Sequence, residues 1–367
     1  MTLVIHLIDF SYRNSWLESQ FPIYSQKGIG TALISISSQG PIHDELQSKG
    51  FEKIKYFNKG FQGFLRASYT LICWARHEKV YLYTHGHIPS IYASAFNTLI
   101  GTKYVICHHQ PPTAYFSNLV KKGVFKARLH LFLVQIYYRK ASYIQSLSPE
   151  VTLSLAKRNV PLRKIIEIPL GVKFDNFSKR KLPNPAEVRK SFNVVSIGRL
   201  VWEKRLDLGI QTISKLINSG QMIHYRIIGE GPELESLKTL TKKLRIESYV
   251  EFLGFQANIS QALSGSDVLF HLAITESYGQ VLLESRLCGT PIYTSAVGVG
   301  LEMEKLCDPM IRVFRGSDPE IIASGLREYL QNVDALKVGN PGSTMYSSHE
   351  FKNVVNAVIQ EIWLNGF

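Results

Sequence analysis

The chain has 367 residues, 45% of them hydrophobic and 19% charged, a globular composition that excludes a disordered or fibrous chain and is long enough for two ordinary domains. Its four cysteines, Cys73, Cys107, Cys288 and Cys307, are scattered with neither metal spacing nor a disulfide framework, as expected of a reduced, cytosolic protein. The net charge of +13 is uneven: residues 1–180 hold 23 Lys and Arg against 9 Asp and Glu, a net of +14, whereas residues 181–367 hold 19 against 20. Such asymmetry points to an anionic partner (membrane surface, phosphorylated acceptor or nucleic acid) or else to a basic proteome with no particular partner.

In chain order, residues 2–8 are too short for a signal peptide and read as a first strand. They run into Asp9-Phe10-Ser11-Tyr12-Arg13-Asn14-Ser15, with a helix from Trp16. Residues 31–36 alternate as a second strand, and 41–49 are helical up to Gly50. Lys27-Gly28-Ile29-Gly30 is not a phosphate loop, because its glycines precede a strand, whereas phosphate loops follow one and open a helix. Residues 80–83 and 104–107 are strands ending at Thr84-His85-Gly86-His87 and His108-His109-Gln110-Pro111-Pro112. Strand–helix alternation predicts a doubly wound parallel sheet whose ligands collect at the carboxyl ends of strands, where both histidine pairs fall. No carboxylate or cysteine completes a zinc set there, which favours a single His contacting substrate, or inert loop histidines, over a metal. Residues 115–138 interleave apolar and aromatic side chains with Lys121, Lys122, Lys126 and Arg128. They fit either a membrane-interface helix or a core helix with a solvated basic face. The apolar run 129–138 is broken by His130 and Gln135, so no bilayer span is expected.

Residues 165–168 form a strand, followed by Gly171-Val172. Residues 178–187 are rich in Lys, Pro and Asn without apolar period and make the best linker, placing a boundary near residue 180. A strand at 194–197 ends at Gly198-Arg199-Leu200, and a helix follows over 206–217. Arg199 and Lys204 thus project from a strand's carboxyl end, where they can clamp a diphosphate. A strand at 225–228 opens to Gly229-Glu230-Gly231-Pro232, which lacks the third glycine of a dinucleotide fingerprint and counts against NAD. Short strands lie at 249–254 and 291–293, and 349–363 is a terminal amphipathic helix. The most informative stretch is 275–284. A strand over 268–272 precedes it, and after Ser277 the pattern turns helical through Val281, Leu282, Leu283 and Leu287. Glu276 and Glu284 then stand about 12 Å apart along a helix rising 1.5 Å per residue. The helix start between them offers free N–H groups for phosphate. On spacing alone, a ligand site and a surface helix with two incidental acids are both open.

Several segments in order resemble the retaining GT-B glycosyltransferases of glycosyltransferase family 4. They are Gly171-Val172 with Phe177, Gly198-Arg199-Leu200 with Lys204, Gly229-Glu230-Gly231-Pro232, Phe252-Leu253-Gly254, and Glu276 with Glu284, seven residues lying between the last two. The resemblance covers most of the chain and is strongest over 165–301. It implies an α/β fold of two Rossmann-like doubly wound domains facing a central cleft. Residues 1–180 would bind acceptor and 181–350 the nucleotide sugar, with a C-terminal helix over 351–367 packing back toward the first domain. It also implies that Arg199 and Lys204 neutralise the donor diphosphate and that Glu276 holds the sugar hydroxyls. The backbone of Ser277, Tyr278 and Gly279 would approach the phosphates, and Glu284 would bind the ribose. Leu253 and Gly254 would line the base, with Gly198 and Gly229 completing the nucleotide-binding set. His109, with His108 nearly as good a match, would sit near the transferred sugar.

Three positions depart from the family pattern: Arg13-Asn14-Ser15 after the first strand, Lys173 after Gly171-Val172, and Val297-Gly298-Val299-Gly300 in place of a Gly pair. None touches the four charged residues, so an active hexosyltransferase is expected. The implied donor is a UDP- or GDP-sugar, with no cofactor and no metal. The implied acceptor is a lipid-linked or polysaccharide-precursor hydroxyl, on a cytoplasmic protein peripheral to the inner membrane face, and no nucleic acid is expected. The alternatives are a non-hydrolysing sugar-nucleotide epimerase of the same fold and a non-catalytic binding subunit.

Overall fold

A computed structural model describes residues 2–11, 15–108, 124–171, 191–256, 258–276, 278–333, 336 and 351–364. The chain divides into two compact units, Met1–Gly171 with Ser348–Phe367, and Val172–Ser347. The composition-based linker at 178–187 lies outside the described residues.

In the first unit the elements run β1 (Thr2–Ile8), α1 (Ser15–Gln26), β2 (Gly30–Ser35), α2 (Pro41–Ser48), β3 (Ile54–Tyr56), α3 (Phe61–Ala75), β4 (Lys79–His85), α4 (His87–Ile100), β5 (Lys103–His108), α5 (Val124–Lys140), β6 (Tyr143–Ser146), α6 (Pro149–Ala156) and β7 (Ile165–Glu167). The seven strands pair in parallel in the order β3-β2-β1-β4-β5-β6-β7. Leu3 to Ile8 are all buried, because a parallel sheet is covered by helices on both faces and its central strands carry no polar face. Gly28, at φ +70°, makes the turn into β2, a backbone region that only glycine enters without a steric cost. β3 and β6 are absent from the sequence reading. Ile54-Lys55-Tyr56 and Tyr143-Ile144-Gln145-Ser146 have no hydrophobic run, and only pairing to β2 and β5 makes them strands.

The second unit repeats the plan with β8 (Phe192–Ile197), α7 (Leu206–Asn218), β9 (Ile223–Ile228), α8 (Leu234–Leu244), β10 (Val250–Gly254), α9 (Ser260–Ser264), β11 (Val268–His271), α10 (Gln280–Cys288), β12 (Ile292–Ser295), α11 (Val299–Lys305), β13 (Ile311–Phe314) and α12 (Pro319–Asn332). Its six parallel strands are ordered β10-β9-β8-β11-β12-β13. α7 seals one face through Leu206, Leu208, Ile210, Ile213 and Leu216. The last helix, α13 (Phe351–Val358), continues as a wider turn over Ile359–Leu364 and belongs to the first unit. There Trp363 Nε1 donates to the Tyr24 hydroxyl at 2.9 Å, and the indole sits edge-on to Tyr83.

Both sheets reverse direction once, between β1 and β4 and between β8 and β11. The loops leaving the two strands at such a point splay to opposite faces and open a crevice at the carboxyl ends, where doubly wound folds bind ligands. No described helix is long and apolar enough to cross a membrane.

Candidate functional site

In the second unit the loops leaving β8, β9, β10 and β11 carry most of the residues singled out from sequence. The first three are locked by backbone contact at glycines. Gly198 N donates to Ile228 O at 2.9 Å, Leu200 N to Glu230 O at 2.8 Å, and Gly229 N to Gly254 O at 2.8 Å. A Cβ on Gly229 would lie 1.9 Å from the Gly198 carbonyl oxygen, and one on Gly231 would lie 2.3 Å from that of Leu200. Side chains are therefore excluded at Gly229 and Gly231, and Gly198, Gly229 and Gly254 sit in one row with Leu253 beside them. Bare backbone at strand ends is what lets a ligand approach the main chain closely.

The β8 loop then makes a single tight turn, Trp202–Lys204, ended by Arg205 in the left-handed region at φ +50°. This turn folds the Lys204 stem back over Gly198, 3.7 Å from where a Cβ would stand. Ile274 N donates to Glu203 O at 2.9 Å, pinning the β11 loop to the same turn. The outcome is a contact between the Lys204 ammonium and the Glu276 carboxylate across the switch point between β8 and β11. Arg199, earlier in the β8 loop, is exposed and forms no ion pair among the described residues.

Glu276 has a second partner that the sequence reading missed. His271, the last residue of β11 and buried, places Nε2 3.1 Å from Glu276 Oε1. The signal was available, since His271 is a histidine at a strand's carboxyl end, as His85 and His108 are. Burial pushes the Glu276 pKa up, but the adjoining His271 imidazole and the Lys204 charge outweigh it and hold the carboxyl at about 2. Glu276 is thus an ionised, weakly basic acceptor, suited to hydroxyl donors rather than to proton abstraction.

The helical start expected after Ser277 is not found. Ser277 itself lies outside the described residues, and α10 begins at Gln280, after Gly279 at φ +84°. Glu276 therefore precedes the helix by a turn, and the 12 Å helical separation does not apply. The physical reason is Tyr278. Its side chain is buried, and its carbonyl accepts from Val299 N at 2.7 Å, which holds Tyr278 and Gly279 out of a helix. Gly298 makes this approach feasible, because a Cβ there would stand 2.3 Å from Tyr278 O and 3.1 Å from the Glu276 Cβ. The departure at Val297-Gly298-Val299-Gly300 thus packs against the glutamate loop through its first glycine. Glu284 lies just over one turn into α10 and accepts from Gln280 Nε2 at 3.2 Å. Burial, only partly offset by that bond, lifts its pKa to about 7. The two glutamates are electrostatically opposite, one held ionised at neutral pH and one poised to titrate.

In the first unit, His109 lies outside the described residues. His108 ends β5, is buried, and pairs Nε2 with the Tyr138 hydroxyl at 2.5 Å. His87 contacts the Tyr137 hydroxyl through Nδ1. Burial, with the nearby His108, His130 and Arg158, drives its pKa down to about 2. His85 Nε2 lies 3.2 Å from His6 Nδ1, and burial lowers His6 to about 3. His6 and His87 are therefore neutral, hydrogen-bonded groups. Among the described residues no group of three or more His, Cys, Asp and Glu side chains is arranged to hold a metal ion.

Residues 178–337 match the family model described as glycosyl transferases group 1. This stretch is a glycosyl transferases group 1 domain. The chain is 27% identical over 176 residues to the phosphatidylinositol N-acetylglucosaminyltransferase gpi3 subunit of Schizosaccharomyces pombe, covering 46% of this chain and 37% of that protein. It is 37% identical over 95 residues to N-acetyl-alpha-D-glucosaminyl L-malate synthase of Bacillus anthracis, covering 26% of this chain and 25% of that protein. The chain thus spans well under half the length of these curated relatives. Among solved structures, Anabaena Alr3699/HepE in complex with UDP-glucose matches with a TM-score of 0.81 at 15% identity, over 99% of this chain and 100% of that one. Sucrose-phosphate synthase of Thermosynechococcus elongatus matches with a TM-score of 0.77 at 14% identity, over 98% of each chain. The fold is accordingly GT-B, two Rossmann-like parallel-sheet units.

Proposed function

We propose that this protein is a retaining glycosyltransferase, moving a sugar from a nucleotide diphosphate sugar to an acceptor hydroxyl. The observation that carries the reading is the Lys204–Glu276–His271 cluster at the switch point between β8 and β11, inside the glycosyl transferases group 1 domain. The UDP and UDP-glucose named for the HepE structures favour a UDP-sugar donor, and the relatives' names favour a hexosyl group.

In this reading the glycine row of Gly198, Gly229 and Gly254, with Leu253, receives the nucleotide. The Glu284 carboxylate accepts from the ribose hydroxyls, and Glu276 accepts from the sugar hydroxyls. The bond between the anomeric carbon and the diphosphate oxygen breaks, and its electron pair goes to the diphosphate. Arg199, Lys204 and the backbone N–H groups at Tyr278 and Gly279 stabilise that charge as it develops. The acceptor oxygen bonds to the same face of the anomeric carbon, and its proton passes to the leaving phosphate. No carboxylate base is needed, consistent with the low pKa of Glu276. Two cations do the neutralising work, so activity should survive EDTA. His109 is assigned beside the transferred sugar, residues 1–180 to the acceptor and 181–350 to the donor. The basic half, at +14, favours a lipid-linked or otherwise anionic acceptor at the cytoplasmic membrane face.

The test is release of UDP from UDP-sugars by Arg199→Ala and Glu276→Ala. Loss of the Arg199 charge at the leaving group, or of the Glu276 contact to the sugar hydroxyls, should lower turnover by about 100- to 1,000-fold. Wild-type turnover in either variant would refute the site.

A further inference from the structure

α3 is apolar on two opposite faces, and the fold uses only one of them. Its inner face buries Gly63, Ala67 and Leu71 and stacks Phe64 on Phe96 with ring centroids 5.2 Å apart. On the outer face Phe61, Leu65, Tyr69 and Ile72 are 75%, 50%, 72% and 37% exposed. At 3.6 residues per turn these four fall within an arc of about 80°, a continuous stripe along the helix. A helix apolar on both sides calls for an apolar neighbour on each, and the core supplies one.

The charge around the stripe is predominantly positive: residues 52–78 carry Lys53, Lys55, Lys59, Arg66 and Arg76 against Glu52 and Glu78. Lys53 is neutralised by Glu78 at 2.6 Å and Lys59 lies near the Asp9 carboxylate, which leaves Lys55, Arg66 and Arg76, all exposed. We propose that the outer face of α3 docks this protein on an anionic lipid bilayer, with Phe61, Leu65, Tyr69 and Ile72 entering the headgroup region and the flanking cations on lipid phosphates. This rests on the membrane half of the functional reading and is independent of the sugar-transfer half.

Charge and area select the occupant. A second copy paired face to face by two-fold symmetry would set cation against cation. With side chains of about 150–250 Å² the stripe leaves on the order of 400 Å² of apolar surface in water. That is roughly half of the ~800 Å² per partner of a stable protein interface. An interfacial helix needs no more than a shallow apolar face plus cationic attraction.

The experiment is co-sedimentation of the full chain at low salt with vesicles of phosphatidylcholine alone, or with about one third of it replaced by phosphatidylserine. The expected result is binding to the anionic vesicles only. The triple variant Phe61→Ser, Leu65→Ser, Tyr69→Ser should lower the partition coefficient about tenfold or more, and Arg66→Glu with Arg76→Glu should act in the same direction. Leu129→Ser with Phe132→Ser on α5 should bind as wild type. All replaced side chains are exposed, so unchanged circular dichroism melts separate lost docking from lost folding. Wild-type partitioning by the triple variant would overturn the α3 assignment. Failure of the wild type to bind either vesicle would overturn the membrane reading, leaving UDP release to be judged separately. A dimer in sedimentation velocity that the triple variant dissociates would make the stripe a self-association face and also overturn the proposal.

Discussion

Replacing Lys204 by Met removes the cation from a carboxylate that the fold has already taken out of water. The two side chains are 19% and 14% exposed and in direct contact, with His271 3.1 Å away on the same oxygen. The Glu276 pKa, raised by burial but pulled down further by His271 and Lys204, falls from an ordinary 4.5 to about 2. Between those values the linked free energy is on the order of 3 kcal/mol. Lys204→Met leaves the His271 bond in place, so the expected loss of stability at pH 7 is about 2 kcal/mol, below the 3–5 typical when a buried charge loses its only partner. Because the folded-state pKa is depressed, the stabilisation is complete above pH 4.5 and is lost as pH falls through about 2. Wild-type stability should therefore decline over that window, and that of Lys204→Met should decline less. Urea denaturation of wild type, Lys204→Met, Glu276→Gln and the double variant closes a thermodynamic cycle. A coupling of about 1–3 kcal/mol is expected, and additivity within about 0.5 kcal/mol would show that the contact does not couple the β8 and β11 loops.

Three further outcomes follow from two glycine turns and from Glu284. Gly229→Ala should cost about 3 kcal/mol or more, roughly 10 °C in Tm, because the new Cβ meets the Gly198 carbonyl at 1.9 Å. Gly28→Ala, with nothing within 4 Å and only its φ of +70° to strain, should cost about 1 kcal/mol, so equal melting shifts would refute the steric account. Glu284, raised from 4.5 to about 7 by burial, keeps a proton in the folded state that the unfolded chain releases above pH 4.5. Stability should thus fall as pH rises from 4.5 to 7, and Glu284→Gln should flatten that slope and be more stable by on the order of 1–3 kcal/mol at about pH 8. In wild type, UDP affinity measured by thermal shift should strengthen through about pH 7 as the carboxylate forms.

Much of this architecture was legible from residues. Strand–helix alternation predicted doubly wound parallel sheets, and strands such as β1, β4, β5, β8 and β9 appear within a residue or two of where their apolar runs lie. β3, β6 and β13 were not legible, because each is short and has its apolar run broken by a polar residue, Lys55, Gln145 and Arg312, so that their identity resides in hydrogen bonds to a neighbour. The glycine-rich turns at Gly198 and Gly229 could be recognised. The reason for them could not, because it is the collision that a Cβ on Gly229 would have with another loop's carbonyl.

The site divides in the same way. The sequence by itself determined which residue types stand at strand ends and on the helix that follows: Arg199, Lys204, Glu276 and the glycines at the former, Glu284 on the latter. That follows because strand periodicity and turn chemistry are local. Only the tertiary structure decided that Lys204 folds back to Glu276, that His271 joins them, and that Gly279 and Tyr278 hold Glu276 out of the helix. It also decided that one glutamate is held ionised and the other near neutrality. These outcomes depend on burial and on partners 72 residues apart in sequence, and neither quantity exists until the sheet brings β8 and β11 side by side.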